Sequence, residues 1–190
     1  MTYILGLSCY YHDSAAALLK DGCLIAAAQE ERFSRIKHDF SFPEESIRFC
    51  LDYAGITGED LDYVVFHEKP FLKFERIIKT ILATYPKSAN LFHDVAINWL
   101  RDKFWIKSKI AGYLNISEDK VLFSRHHLSH AASAFFCSPF EKAAILTIDG
   151  VGEWATTSLS TGYSSFSNSG ENRIDPICEI NFPHSIGLLY

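Results

Sequence analysis

The stretch YILGLSCYYHDSAAALLKDGCLIAAAQ, residues 3–29, decides the fold. Its apolar runs are short, and turn-forming residues break them at two places. Tyr3 to Ser8 reads as one strand, Ala15 to Leu19 as a second and Cys23 to Gln29 as a third. Tyr10-Tyr11-His12-Asp13-Ser14 and Asp21-Gly22 are the turns between them. Strands this close together leave no room for a crossover helix, so they form an antiparallel meander.

Downstream, Ser41-Phe42-Pro43-Glu44 has the composition of a capping box with an early proline. It leads into Ile47, Cys50, Leu51 and Ala54 at helical spacing, with Gly55 as the stop. Asp62 to His67 reads as a buried strand, which completes a β-β-β-α-β order. From Phe71 to about Leu114 the pattern turns helical. Phe74, Ile77, Ile78, Ile81 and Leu82 form one core stripe, and Leu91, Val95, Trp99 and Lys103 track a second. Arg101, Lys103, Lys107 and Lys109 read as a solvated basic face. Val121 to Phe123 resumes a strand, and a histidine-bearing helix then runs to about Phe136, where Ser138-Pro139 ends it. Lys142 to Ile148, the turn Asp149-Gly150-Val151-Gly152 and Glu153 to Ser160 form a second hairpin. Tyr163 to Arg173 is a loop rich in Ser, Gly and Asn, and Ile174 to Ile180 is a further strand.

Composition narrows the class. The chain has 190 residues, 48% of them hydrophobic, and a formal net charge of −5. That is the balance of a soluble globular enzyme rather than of a disordered chain or a broadly basic nucleic-acid binder. The five cysteines (Cys9, Cys23, Cys50, Cys137 and Cys178) are odd in number and contain no C-x-x-C pair, which points to a reducing cytoplasm. The N-terminus has no basic region, and no apolar run is long enough to span a membrane.

Chemistry concentrates in Ser124-Arg125-His126-His127-Leu128-Ser129-His130 and in Asp149. Two histidines four apart on a helix project from one face roughly 6 Å apart, close enough to share one ion. His126 and His130 have that spacing; His127, three residues before His130, also reaches the face, and spacing alone does not choose between them. Asp149 ends an apolar strand, the position at which open α/β sheets present ligands. Two histidines and one aspartate leave coordination positions open, which suits a substrate-facing iron or zinc ion better than a closed structural site. The other reading of the cluster is a solvated helix face.

The meander, helix and strand, followed after residue 142 by a second strand-glycine turn-strand unit, have the layout of the actin-like ATPase superfamily. In that superfamily two lobes each begin with such a hairpin, and turns like that at Asp149-Gly150-Val151-Gly152 approach nucleotide phosphates through backbone N–H groups. The expected fold is therefore α/β: an actin-like (ribonuclease H-like) lobe with a mixed sheet and helices over residues 1–140, then the first strands of a similar second lobe over 141–190.

The sequence also resembles the O-carbamoyltransferase family that includes the nodulation, cephamycin and aminoglycoside carbamoyltransferases. The resemblance rests on Ile4-Leu5-Gly6-Leu7 with His12-Asp13-Ser14-Ala15-Ala16, and on Gln29-Glu30-Glu31-Arg32-Phe33-Ser34-Arg35-Ile36-Lys37-His38-Asp39 with Phe42-Pro43. It continues through His126-His127-Leu128-Ser129-His130-Ala131-Ala132-Ser133-Ala134-Phe135, Asp149-Gly150-Val151-Gly152-Glu153-Trp154 and Phe182-Pro183-His184-Ser185-Ile186-Gly187-Leu188-Leu189-Tyr190.

The resemblance implies a half related to the tRNA threonylcarbamoyl transferases. Carbamoyl-adenylate, made from carbamoyl phosphate and ATP, would donate its carbamoyl group to a hydroxyl of a small-molecule acceptor. It implies His126, His130 and Asp149 as ligands of Fe2+ or another divalent metal such as Zn2+, with His127 outside the set. It implies Lys37 as a contact to the adenylate, with Arg32 or Arg35 assisting, and Gly150 and Gly152 near the phosphates. His12, whose imidazole can take up a proton near neutral pH, suits the role of base towards the acceptor hydroxyl, with Asp13 orienting it or the acceptor. Nucleic acid and membrane are not expected partners, the oligomeric state is open, and His184 receives no role.

Family members continue well beyond the position of Tyr190, so the chain reads as cut rather than finished and is expected to be poorly active alone. Rival readings are a tRNA threonylcarbamoyl-transferase-like or sugar-kinase-like ATPase and a non-catalytic remnant that binds metal or a partner. The His-His-Leu-Ser-His and His-Asp-Ser-Ala-Ala blocks favour the O-carbamoyl branch over the other enzymes.

Overall fold

A computed structural model describes residues 1–88, 99, 103–165 and 172–189. The expected stripe positions Leu91 and Val95, and Arg101 of the basic face, lie outside the described residues. The chain divides into two compact units, Met1–His67 with His93–Phe123 and Glu68–Phe92 with Ser124–Tyr190.

The first unit is built on the meander. Strands β1 (Tyr3–Ser8), β2 (Ala15–Lys20) and β3 (Cys23–Gln29) pair antiparallel. The strands β4 (Tyr63–Phe66) and β5 (Val121–Phe123) then add in parallel on the other side of β1, giving the order β3-β2-β1-β4-β5. A five-stranded mixed sheet in this order, with its first three strands antiparallel, is the actin-like (ribonuclease H-like) arrangement expected from the sequence. Leu5 sits opposite Leu18 on one side and Val64 on the other, and all three are fully buried. Alternation along β1 and β2 therefore places a continuous apolar face against Ile47, Cys50 and Ile110 of the helices α2 (Glu44–Ala54) and α4 (Ile106–Leu114).

The start of α2 departs from the expected capping box. Its N-cap is Pro43, and no side chain of the local segment caps it. The cap comes from Glu30, whose buried carboxylate accepts hydrogen bonds from the backbone N–H of Glu45 (3.1 Å) and of Ser46 (2.8 Å) and from the Ser46 hydroxyl (2.8 Å). A charged acceptor at a helix N-terminus satisfies orphan donors and matches the dipole, and it outcompetes the Ser41 hydroxyl for them. The helix stops as predicted at Gly55, which adopts the left-handed conformation (φ 66°) of a C-terminal cap. Residues Glu31–Ser34 form the short helix α1.

In the second unit the described helices are α3 (Pro70–Ala83) and α5 (His126–Phe135), and the sheet is β6 (Lys142–Ile148), β7 (Ala155–Tyr163) and β8 (Arg173–Asn181) in antiparallel order β6-β7-β8. Helix α5 packs Ala131 and Phe135 against Ile145. The apolar stripe expected on α3 is half-buried through Phe74, Ile77 and Ile78, and the buried face also takes in charged residues. Lys73, Arg76 and Ile81 are buried, whereas Leu82 is exposed. Lys73 reaches Glu68 at 2.7 Å and the Arg76 guanidinium lies 5.2 Å from the Phe182 ring centre, so specific partners draw inward two cations that the apolar stripe does not include. Strand β7 begins at Ala155 rather than Glu153, because Glu153 turns away from the sheet to serve α5. No described helix is long and apolar enough to cross a membrane.

Candidate metal centre

The first turn of α5 and the end of β6 bring three donors together. Nε2 of His126 lies 2.8 Å from Oδ2 of Asp149 and 3.1 Å from Nε2 of His130. The one-turn spacing sets the two imidazoles edge to face, with ring centres 4.7 Å apart. One donor atom from each of His126, His130 and Asp149 lies within 4.8 Å of the others, which is the range that bonds of about 2.0–2.2 Å to a single ion require. His126 is buried, Asp149 half-buried and His130 exposed, so the cluster is anchored on one side and open on the other. Two histidines and a carboxylate with room for further ligands fit Fe2+ or Zn2+.

His127, left open by spacing, points away from this cluster. Its Nδ1 sits 2.7 Å from the Thr147 hydroxyl and 3.2 Å from that of Ser158, inside the packing between α5 and the sheet. Burial pushes its pKa below the ordinary value, and the imidazole is held neutral among hydroxyls.

The turn after β6 holds Asp149 and His126 together. Asp149 accepts from the ring of His126, the main reason its pKa falls to about 2, and its Oδ1 accepts from the Gly150 N–H at 2.7 Å. Gly152 faces His126: a Cβ there would lie 2.8 Å from Cδ2 of the ring. The two glycines expected near phosphates thus adjoin Asp149 and His126. Glu153, which sequence reasoning missed, accepts from the backbone N–H of His126 (3.3 Å) and of Lys69 (2.5 Å) and so caps α5; burial pushes its carboxyl above the usual range. Beside it opens a cavity of about 460 Å3, lined in part by His126, Glu153, Trp154 and Asn181.

The first unit carries the other predicted residues. The β1–β2 turn is stitched to residues 39–41: Tyr10 N–H donates to Phe40 O (2.8 Å), Ser14 N–H to Asp39 O (2.7 Å) and the Ser14 hydroxyl to Ser41 O (2.5 Å). Asp13, in the left-handed region at φ 48°, accepts from Nδ1 of His12 at 2.9 Å and from Nδ1 of His38, also left-handed, at 2.9 Å. These contacts, that of His38 foremost, lower the Asp13 carboxyl below its usual range. An ionised carboxylate only accepts, so both imidazoles carry a proton on Nδ1, and Nε2 is the ring nitrogen turned away from the carboxylate. His38 was not anticipated; its signal was its place between Lys37 and Asp39 in the family block. Lys37 is exposed in the same turn, and Arg32 is exposed on α1, 3.7 Å from Glu31. Asp39 is buried and bonded to Ser41, a structural role.

His126, His130 and Asp149 form a half-open cluster in an α/β protein with an actin-like sheet. Residues 3–190 match the carbamoyltransferase N-terminus family, and the chain belongs to it. An uncharacterized protein of Synechocystis sp., sll1178, is 52% identical over 197 residues, which cover 100% of this chain and 31% of the relative. The nodulation protein NolNO of Sinorhizobium fredii is 33% identical over 182 residues, covering 95% of this chain and 25% of NolNO. The chain thus spans less than a third of either relative's length. Among solved structures, YeaZ from Pseudomonas aeruginosa aligns over 96% of this chain and 68% of its own, with a TM-score of 0.48 and 17% identity.

Proposed function

We propose that this chain is the N-terminal part of an O-carbamoyltransferase that moves a carbamoyl group from carbamoyl-adenylate to a hydroxyl of a small-molecule acceptor. The reading is carried by the convergence of His126, His130 and Asp149 in a member of the carbamoyltransferase family. These three residues would hold a divalent ion, iron or zinc, which supplies charge compensation for an anionic phosphate. The adjoining cavity of about 460 Å3 falls in the range of small-molecule sites.

In the transfer, Nε2 of His12 takes the proton of the acceptor hydroxyl as its oxygen bonds to the carbamoyl carbon. The bond from that carbon to the phosphate oxygen breaks, and AMP leaves with the electron pair. Asp13 holds the imidazole in the tautomer that accepts the proton and stabilises the imidazolium that results. Lys37, with Arg32, supplies cationic charge for the donor. The cysteine pattern, with no C-x-x-C pair, favours a cytoplasmic setting.

The test is His130→Ala in the full-length protein, read by metal content and by carbamoyl transfer from carbamoyl phosphate and ATP. Wild type is expected to retain one divalent ion per site and the variant to lose both ion and transfer. A variant that keeps its ion and its rate would overturn the ligand assignment.

A further inference from the structure

The cluster has a buried second layer that neither family membership nor the ligand residues explain. His126 uses its two ring nitrogens in opposite directions. Nε2 faces Asp149 and His130, whereas Nδ1 lies 3.6 Å from Oε2 of Glu68, in ion-pair range. That same carboxylate oxygen is 2.7 Å from Nζ of Lys73 on the first turn of α3, and the Glu68 and Lys73 side chains are only 4% and 7% exposed. Burying such a pair is costly: well-packed apolar residues of the same volume are often as stable or more so. Three buried ionisable side chains in line, Lys73 to Glu68 to His126, thus end at the ring that leads into the metal cluster.

We propose that Glu68 is a positioning residue for His126 as a metal ligand. The inference rests on the metal reading given above. Metal-ligating histidines donate their second ring N–H to an oriented acceptor, which fixes the ring and raises the basicity of the ligating nitrogen. With an ion bound, Glu68 is that acceptor: the carboxylate, 3.6 Å away in the metal-free protein, holds the proton on Nδ1 and leaves the lone pair of Nε2 to the metal. Lys73 pairs with the carboxylate from its far side. The arrangement also explains why α3 buries a lysine where its apolar periodicity does not call for one.

The test is metal affinity, measured on the full-length protein by competition with a chromophoric chelator for Zn2+, in wild type, Glu68→Gln and Lys73→Met. Glu68→Gln keeps the shape and removes the charge-assisted acceptor; it should weaken Zn2+ binding by about 10- to 100-fold. Lys73→Met breaks the ion pair but leaves the carboxylate on His126, and its affinity should stay close to that of wild type. In the Zn2+-loaded protein the Nδ1–H proton resonance of His126 should move upfield in Glu68→Gln and not in Lys73→Met. If Glu68 and Lys73 were only a structural pair, both single variants would weaken binding alike, and that result overturns the proposal. Should a single variant fail to fold, Glu68→Gln with Lys73→Met removes both charges together; it should weaken binding as Glu68→Gln does, and wild-type affinity there also overturns the proposal. A wild-type protein that binds no Zn2+ or Fe2+ would instead overturn the metal reading itself, and this inference with it.

Discussion

Gly152 lies flat against the imidazole of His126, so close that a β-carbon on residue 152 would stand 2.8 Å from Cδ2 of the ring and 3.1 Å from the carbonyl oxygen of Ala155. The β6–β7 turn can therefore bring Asp149 to the histidine helix only because position 152 has no side chain. Gly152→Ala is expected to push the His126 ring off its position and to destabilise the protein by about 1–3 kcal/mol through overpacking. Metal affinity should fall with it. Denaturant unfolding and chelator competition on the same variant check both, and wild-type values for the pair would show that the contact is slack.

In the first unit, His12 and His38 share one carboxylate, and only the turn bearing His12 is assigned to proton removal. His12→Asn in the full-length enzyme should slow carbamoyl transfer by about 10²- to 10⁴-fold, the usual contribution of a general base, while leaving metal content unchanged. A parallel loss of metal, or an unaltered rate, would speak against that role.

Glu30 is a buried charge whose partners are the first N–H groups of α2 and the Ser46 hydroxyl. Glu30→Gln retains the size but substitutes a weaker acceptor and adds donors with nowhere to go. The expected cost is about 1–3 kcal/mol, read from the midpoint of urea unfolding. Ser41→Ala, which the local capping-box pattern would make equally damaging, should cost well under that amount.

Asp149 gives a pH signature in the metal-free protein. Its folded pKa, drawn down to about 2 chiefly by the hydrogen bond from His126, lies below the ordinary 3.8. A depressed carboxyl contributes stability that is complete above its unfolded value and is lost as pH falls through its folded one. Wild type should therefore exceed Asp149→Asn in stability at about pH 5, with the gap closing as the pH drops from about 4 towards 2. Urea titrations of both proteins across that window measure it, and a gap of constant size would exclude Asp149 as its source.

The sequence by itself determined whatever depends on neighbours along the chain. Alternation of apolar residues in 3–29 specified the meander, and the four-residue step from His126 to His130 put two imidazoles on one helical face. The strand ending at Asp149 was equally legible, because an apolar run followed by Asp-Gly is a local signal. Only the tertiary structure decided which of the available groups fill the long-range vacancies. It turned His127 into the hydroxyl pair of Thr147 and Ser158, sent Glu30 sixteen residues along the chain to cap α2, and Glu153 twenty-seven residues back to cap α5. It also drew Lys73 inward to Glu68 and set His38 beside Asp13. The physical reason is common to all of these. Periodicity encodes which face of an element is apolar, but an unsatisfied backbone donor or a buried charge is answered by whichever partner the fold brings within about 3 Å, and that distance has no counterpart in local sequence.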